Sequence, residues 1–239
     1  MKLYVYCIAS LVLNGDDLPP GLEDQKVSAL SIEDLAIIVS KFSEDMVSVN
    51  RENVLRHDAV IRRVFAETTP LPFRFGTLAT EDRLKNYVRA RRESLVQRLE
   101  TVKESVEMNV KVIWSKANES EHDKVKPADL GAGVGFLLSK QREFRGADRL
   151  RNEAESIAIW LNGQLNDICK ESRVNIEPSQ KLVYSGAYLV HQSLVPQFRE
   201  LLNAITTARP DLHFLVSGPW PPYTFADIDL EFKTQFGVS

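Results

Sequence analysis

The chain has 239 residues, of which 44% are hydrophobic and 26% are charged, and its formal net charge at pH 7 is −3. This composition is typical of a globular protein with room for one large or two small hydrophobic cores. The negative net charge argues against nucleic acid as the main partner, because binding to phosphates requires a basic surface.

The cysteines and the N-terminus indicate the cellular compartment. Cys7 and Cys169 are too few for a disulfide framework, and Cys7 lies within an apolar run, so we expect a reducing, cytoplasmic environment. The N-terminus lacks the apolar core and cleavage site of a signal peptide. No apolar run approaches the ~20 residues that a membrane span needs, so a lipid membrane is not an expected partner.

The first half of the chain predicts the order β-β-β-α-β-α-β. Residues 2–9 read as a strand that is apolar on both faces, and residues 22–42 read as a hairpin. A helix is expected to begin after Asn50, which is a suitable N-cap residue. The further predicted elements are a short strand or bend at 73–78, a helix at 81–104 and a strictly alternating strand at 106–114.

The second half predicts the order α-β-α-β. Its expected elements are a long helical segment at 136–173 with a kink near Gly146, a strand at 181–191, a helix at 194–208 and a strand at 212–217. The polar stretch 115–127, which ends in proline, predicts a domain boundary near residues 116–129 that a protease should cut first.

Together the two halves predict an α+β fold of two ferredoxin-like α/β sandwich domains, with a long helical segment in the second half. The N-terminal ferredoxin-like domain is expected over residues 1–118. The C-terminal domain, helical and ferredoxin-like with a proline- and aromatic-rich tail, is expected over residues 128–239.

Motifs for catalysis, metals or cofactors are not evident in the sequence, so we expect no enzyme activity, no metal and no cofactor. His57 and Asp58 are adjacent on a helix and point about 100° apart, which favours a packed core histidine over a catalytic or metal pair. The glycines at 131, 133 and 135 lack the sixth-position glycine of a dinucleotide loop, where Phe136 stands. Residues 73–78 do not supply the stacking motif of an RNA-recognition domain.

The C-terminal segment 216–225 is a rigid stretch that carries three aromatic rings. Its three prolines fix their own φ and push each preceding residue into an extended conformation. Two interpretations are open: the segment packs onto its own domain, or it is an anchor for another protein. For the second, the candidate partner-binding residues are Trp220, Tyr223 and Phe225, with Arg74 as a weaker candidate because alternation turns it away from Phe73 and Phe75.

Three segments together resemble the gas vesicle protein F/L family. They are His57-Asp58-Ala59-Val60, Leu71-Pro72-Phe73-Arg74-Phe75-Gly76-Thr77 and Gly218-Pro219-Trp220-Pro221-Pro222-Tyr223-Thr224-Phe225. The opening Leu3-Tyr4-Val5-Tyr6 and the order of elements also fit, so the resemblance covers nearly the whole chain. The third segment is the specific one, and the other two support it.

The resemblance implies a non-enzymatic accessory or minor structural protein that takes part in the formation of gas vesicles, the gas-filled protein shells that give some aquatic prokaryotes buoyancy. The implied partner is the small, very apolar main gas vesicle shell protein, with other gas vesicle accessory proteins as further candidates, and the implied location is the gas vesicle. The alternative hypothesis is a small-molecule-binding enzyme or sensor domain of ferredoxin-like fold, with its site in an inter-domain cleft near His57, Arg74 and Arg91. Such a site needs a deep pocket with convergent polar groups.

Overall fold

The computed structural model describes residues 2–10, 18–114, 150–176, 182–228 and 236–237. Within it the chain divides into two compact units: the first combines Met1–Glu107 with Pro219–Ser239, and the second is Met108–Gly218. The predicted boundary at 116–129 lies outside the described residues. The sequence assigned the tail to the second domain, whereas the structure groups Pro219 and the residues after it with the first unit. Chain order alone does not decide where an apolar segment buries its side chains.

The first unit contains a five-stranded sheet with antiparallel pairing, in the order β2-β3-β1-β5, with β6 also paired to β1. Its strands are β1 (Lys2–Ser10), β2 (Val27–Ile32), β3 (Leu35–Phe42), β5 (Leu71–Pro72) and β6 (Leu78–Ala79), and the short β4 (Val47–Ser48) pairs separately with β11 (Phe236–Gly237). Strand β1 is buried from Leu3 to Ala9, which confirms the predicted central strand. The predicted hairpin is also confirmed, since β2 and β3 are adjacent antiparallel strands.

Two helices, α1 (Arg51–Phe65) and α2 (Glu81–Val102), complete the first unit. Asn50 caps α1 as predicted, because its side-chain oxygen accepts a hydrogen bond from the backbone N–H of Asn53 at 2.8 Å. Val54, in the first turn of α1, is 42% exposed, and the residues that the helix buries are His57, Val60, Ile61 and Val64. Arg91, which interrupts the apolar stripe of α2, lies 5.2 Å from the centre of the Tyr87 ring.

The second unit is built on a four-stranded sheet in the order β10-β7-β9-β8. Its strands are β7 (Ser105–Trp114), β8 (Cys169–Asn175), β9 (Leu182–His191) and β10 (Leu212–Trp220); its helices are α3, described over 150–165, and α4 (Val195–Ala208). The predicted helix up to Arg173 is wrong at its end, because Cys169–Asn175 pairs antiparallel with β9. No glycine or proline marks this change in the sequence; pairing with β9 overrides the local helical pattern. The mixed α/β class is confirmed, while the ferredoxin-like detail stays a prediction.

None of the helices that the structure describes is long and apolar enough to span a membrane.

Candidate functional site

The tail segment, residues 219–228, packs onto the first unit through alternating buried and exposed residues. Pro221, Pro222, Phe225 and Ala226 are buried, and Phe225 is fully inaccessible to solvent. The backbone N–H of Tyr223 donates to the Pro221 carbonyl at 2.8 Å, and the N–H of Phe225 donates to the Pro222 carbonyl at 3.2 Å. These two turns are compatible with the fixed φ of proline, and within the segment Phe225 is buried while Tyr223 is exposed.

A buried carboxylate fixes the middle of the tail segment. Glu107, only 4% exposed, lies near the start of β7. Its Oε2 accepts the backbone N–H of Thr224 at 2.7 Å, and its Oε1 accepts the Thr224 hydroxyl at 2.8 Å. Hydrogen bonds to a charged acceptor are the stronger ones in proteins, so this pair holds the tail in one register.

A buried arginine holds the next residues of the tail segment. Arg98, whose side chain is 14% exposed, lies on α2 and forms an ion pair with Asp227 at 3.2 Å. Its Nε also donates a hydrogen bond to the Phe225 carbonyl. Because Asp227 adopts a left-handed backbone conformation (φ 49°), the chain turns at this point. The tail segment is therefore fixed on both sides of the buried Phe225 ring.

Trp220 contacts the cationic side chain of Arg62 through the face of its indole ring. The Arg62 guanidinium carbon lies 4.7 Å from the centre of the Trp220 ring, within the range of a cation–π interaction. Arg62 is in turn oriented by Asp58, whose Oδ2 lies 2.5 Å from its Nε. Trp220 remains partly exposed. The indole therefore has a defined orientation and still presents surface to solvent.

The hydroxyl of Tyr223 is partly desolvated, and the residue as a whole is 36% exposed. Burial raises the pKa of the Tyr223 hydroxyl above its usual range, and the negative charge of Asp58 acts in the same direction. The hydroxyl therefore stays protonated at pH 7. Tyr223 thus offers accessible surface three positions after Trp220, on a backbone that the prolines restrict.

His57 belongs to the core, as predicted. It is 4% exposed, and the rings of Tyr4, Tyr6 and Phe75 have their centres 5.6–5.8 Å from its own. Tyr4 accepts the backbone N–H of Gly76 at 3.2 Å, so its hydroxyl proton is available for Nδ1 of His57, 2.8 Å away. Burial lowers the pKa of His57 to about 4, which makes the imidazole neutral at pH 7.

The second ring nitrogen of His57, Nε2, has less favourable surroundings than Nδ1. The Phe73 backbone favours the protonated ring, but Nε2 has no acceptor in normal hydrogen-bond geometry among the described residues. A buried imidazole in this setting resists a second proton. His57 is therefore a packed histidine and not the centre of a cleft.

Arg74 is exposed, between the fully buried Phe73 and the partly buried Phe75. Its direction away from Phe73 agrees with the alternation in the sequence. The loop that carries it is closed by two local features: the Thr77 hydroxyl donates to the Arg74 carbonyl at 2.7 Å, and Gly76 has a φ of 86°, which a side chain would strain. Arg74 is thus presented on an ordered loop of the first unit.

The polar groups at this site are the arginines and the carboxylates that pair with them or with the tail backbone, and the remainder is aromatic. Among the described residues no group of three or more His, Cys, Asp and Glu side chains is placed to hold a metal. Burial raises the pKa of the Cys7 thiol above its usual range and that of Cys169 to about 12, so neither supplies a thiolate at pH 7. The arrangement suits recognition of another molecule more than bond making.

Of the three segments that carry the family resemblance, one lies on α1, and the other two contact that helix. Phe75 packs against His57, and Trp220 lies under Arg62, which Asp58 orients. Sequence reasoning missed the residues that hold the tail. Glu107 and Arg98 look like ordinary solvent-facing positions of a strand and a helix, and no local signal marks them as anchors, because the tail that buries them lies more than a hundred residues away.

The comparisons with known proteins agree with one another. The model of the family described as gas vesicle synthesis protein GvpL/GvpF matches residues 2–227. Gas vesicle protein L of Streptomyces sp. (strain CB03234) is 28% identical over 182 residues, which are 72% of this chain and 68% of that protein. Gas vesicle protein F of Haloferax mediterranei is 26% identical over 218 residues, which are 89% of this chain and 87% of that protein.

Two solved structures share the fold. The crystal structure of the gas vesicle protein GvpF from Anabaena sp. PCC7120 superposes with a TM-score of 0.77 at 20% identity, covering 96% of this chain and 99% of that one. The GvpF structure from Microcystis aeruginosa superposes with a TM-score of 0.74 at 20% identity, covering 95% of this chain and 99% of that one.

Proposed function

Because the chain belongs to the GvpL/GvpF family of gas vesicle synthesis proteins, which are involved in gas vesicle formation, we propose that it binds the main gas vesicle shell protein in that process. It acts there as a non-enzymatic accessory or minor structural protein, in the cytoplasm and at the gas vesicle. Other gas vesicle accessory proteins are further partners in this proposal.

One observation carries the choice of surface: Trp220 and Tyr223 are partly exposed on a segment that is held in place by buried residues and by hydrogen bonds to Glu107 and Arg98. Aromatic side chains dominate the energy of many protein interfaces. A segment that is already ordered loses little conformational entropy when it docks, so more of the contact energy is available as affinity. Arg74 adds an exposed cation on an ordered loop of the same unit.

The tail segment combines the two interpretations that the sequence left open. Phe225 packs into its own unit and holds the segment in place, so in this conformation it offers no surface to a partner. Trp220 and Tyr223 present what remains accessible. The proposed binding residues are therefore Trp220 and Tyr223, with Arg74 of the same unit as a weaker candidate.

The non-enzymatic part of the proposal rests on the site and on the names of the relatives. The relatives are named gas vesicle proteins. In the alternative hypothesis His57, Arg74 and Arg91 would line a cleft. His57 is instead buried in the core, and Arg91 lies over Tyr87, so the observations favour binding over catalysis.

The test compares binding and folding in the same variants. Trp220→Ala and Tyr223→Ala are expected to weaken binding to the purified shell subunit about tenfold or more, the effect of losing an interface aromatic. The melting temperature of Trp220→Ala should fall by only a few degrees, since a cation–π contact contributes about 0.5–1 kcal/mol. Tyr223→Ala should have a similarly small effect, because Tyr223 is 36% exposed. Leu55→Ala, at an exposed apolar position of α1 in the same unit, is the matched control and should bind normally.

Phe225→Ala is the second control, because Phe225 is fully buried and offers no surface to a partner. This variant should lower the melting temperature, and any loss of binding should accompany that loss of stability. Folded Trp220→Ala and Tyr223→Ala proteins that still bind the shell subunit normally would place the interface elsewhere. Absence of binding by the unmutated chain would refute the choice of partner.

A further inference from the structure

Asp58 follows His57 on α1 and lies in a different environment. Adjacent residues on a helix point about 100° apart, so His57 is buried in the core while the Asp58 side chain is 32% exposed. One helical turn further on, Oδ2 of Asp58 accepts a hydrogen bond from Nε of Arg62 at 2.5 Å. An acidic residue four positions before a basic one is the favourable order for such a pair on a helix. Asp58 therefore acts on the exposed side of α1, through Arg62.

Arg62 connects Asp58 to the tail segment. Its guanidinium carbon lies 4.7 Å from the centre of the Trp220 ring, while its side chain is 45% exposed. A guanidinium is planar, so it can cover an aromatic face and pair with a carboxylate at the same time, which a lysine ammonium does less well. Because Asp58 holds Nε, the guanidinium has a restricted orientation, and the indole beneath it is restricted as well. Asp58, Arg62 and Trp220 thus form a chain of two contacts within the first unit.

The Asp58–Arg62 pair also lies within electrostatic range of Tyr223. Burial is the main cause of the raised pKa of the Tyr223 hydroxyl; the charge of Asp58 raises it further, and the charge of Arg62 lowers it. The two charges therefore offset each other near both rings of the proposed binding surface. A cation without its carboxylate would have to be desolvated alone when a partner covered the indole, and the pairing reduces that cost.

We propose that Asp58 and Arg62 are positioning residues for partner binding: together they hold the Trp220 indole in the orientation in which the shell subunit contacts it. The inference rests on the proposed function and adds to it the two residues of α1 that determine how this ring is presented. A ring that reorients freely occupies the binding-competent orientation for only part of the time, and the apparent dissociation constant rises as that fraction falls. A cation–π contact at a partly exposed site biases such an equilibrium about two- to fivefold.

The first test measures the affinity of variants for the shell subunit. Arg62→Ala should raise Kd about two- to fivefold. Asp58→Asn, which removes only the charge, should raise it at least about twofold and no more than Arg62→Ala, because Asp58 acts through Arg62. Glu81→Gln and Lys85→Ala are the matched controls: they remove another i,i+4 ion pair of the same unit, about 25 Å along α2 from Arg98, and should change Kd less than about 1.5-fold. All four melting temperatures should stay within about 3 °C of that of the unmutated chain.

The second test reports on the indole itself and needs no partner. When the three tryptophans are replaced by fluorotryptophan, the fluorine NMR signal of Trp220 is the one that Trp220→Ala lacks. Asp58→Asn and Arg62→Ala should shift or broaden this signal and leave those of Trp114 and Trp160 in place, because the ring environment changes only at Trp220. A role in overall stability alone would leave the Trp220 signal of the folded protein unchanged.

The third test asks whether Arg62 acts through the indole. In the Trp220→Ala background, Arg62→Ala should change Kd less than about 1.5-fold, because the ring that it positions is gone. Normal binding by both α1 variants, an unchanged Trp220 signal, or an undiminished effect of Arg62→Ala in that background would overturn the inference. If Trp220→Ala weakens binding and only these tests fail, the proposed function stands; if the unmutated chain does not bind the shell subunit, both fall.

Discussion

The contact between Thr224 and Glu107 offers a direct measure of how strongly the tail is tied to the first unit. Thr224→Val keeps the shape of the side chain and removes the hydroxyl that donates to Oε1 of the buried carboxylate at 2.8 Å. The backbone N–H of Thr224 still donates to Oε2, so the tail keeps its register. A hydrogen bond to a charged group contributes about 1.5–3 kcal/mol.

The expected loss lies at the lower end of that range, because Thr224 is itself exposed and water can partly replace the hydroxyl. We expect the free energy of unfolding of the first unit to fall by about 1–2 kcal/mol, a decrease in melting temperature of roughly 2–8 °C. Urea denaturation followed by tryptophan fluorescence measures this loss. Thr207→Val is the matched control, since the Thr207 hydroxyl bonds a neutral carbonyl on α4 at 3.0 Å, and its effect should stay within about 0.5 kcal/mol.

A double-mutant cycle with Glu107→Gln separates this bond from other effects of the two substitutions. The coupling free energy between Thr224 and Glu107 should be about 1 kcal/mol or more. A coupling near zero, together with an unchanged melting temperature in Thr224→Val, would refute the conclusion that Glu107 holds the tail.

Two further predictions concern the core of the first unit. Because the pKa of His57 is lowered from 6.5 to about 4 in the folded chain, stability is complete above about pH 6.5 and should decline by about 3 kcal/mol as the pH falls towards 4. His57→Gln should flatten this part of the pH profile, and an unchanged profile would contradict the assignment. Gly21→Ala should lower the free energy of unfolding by about 1–3 kcal/mol in urea denaturation, because the new Cβ would overlap the Tyr6 hydroxyl. Gly163→Ala is the control, since a Cβ there meets no neighbour. A comparable loss of stability in Gly163→Ala would refute the steric explanation.

Local periodicity predicted most elements of the fold. The run of apolar residues in β1, the N-cap at Asn50 and the alternation in β7 are all set by residues a few positions apart, and the structure confirms each of them. The end of the long helix was wrong for a different reason. Cys169–Asn175 has no strong local preference, and its state depends on the strand β9 with which it pairs.

The candidate site was predicted only in part. Proline chemistry indicated that the tail is rigid, and the aromatic residues indicated that it packs or binds. The burial of Phe225 and the partial exposure of Trp220 and Tyr223 could not be assigned from the segment itself. These properties depend on Arg62, Arg98 and Glu107, and the spacing of those residues along the chain gives no sign of the tail.

The sequence by itself therefore determined the order of elements, the core position of His57 and the family, because each rests on short-range patterns or on motifs that can be read directly. Only the tertiary structure decided which unit receives the tail and which of its rings is buried. Thr224 and Glu107 lie 117 positions apart in the chain, and the free energy of such a contact depends on burial and charge around both partners. No local sequence pattern determines the burial and the charge around these two residues.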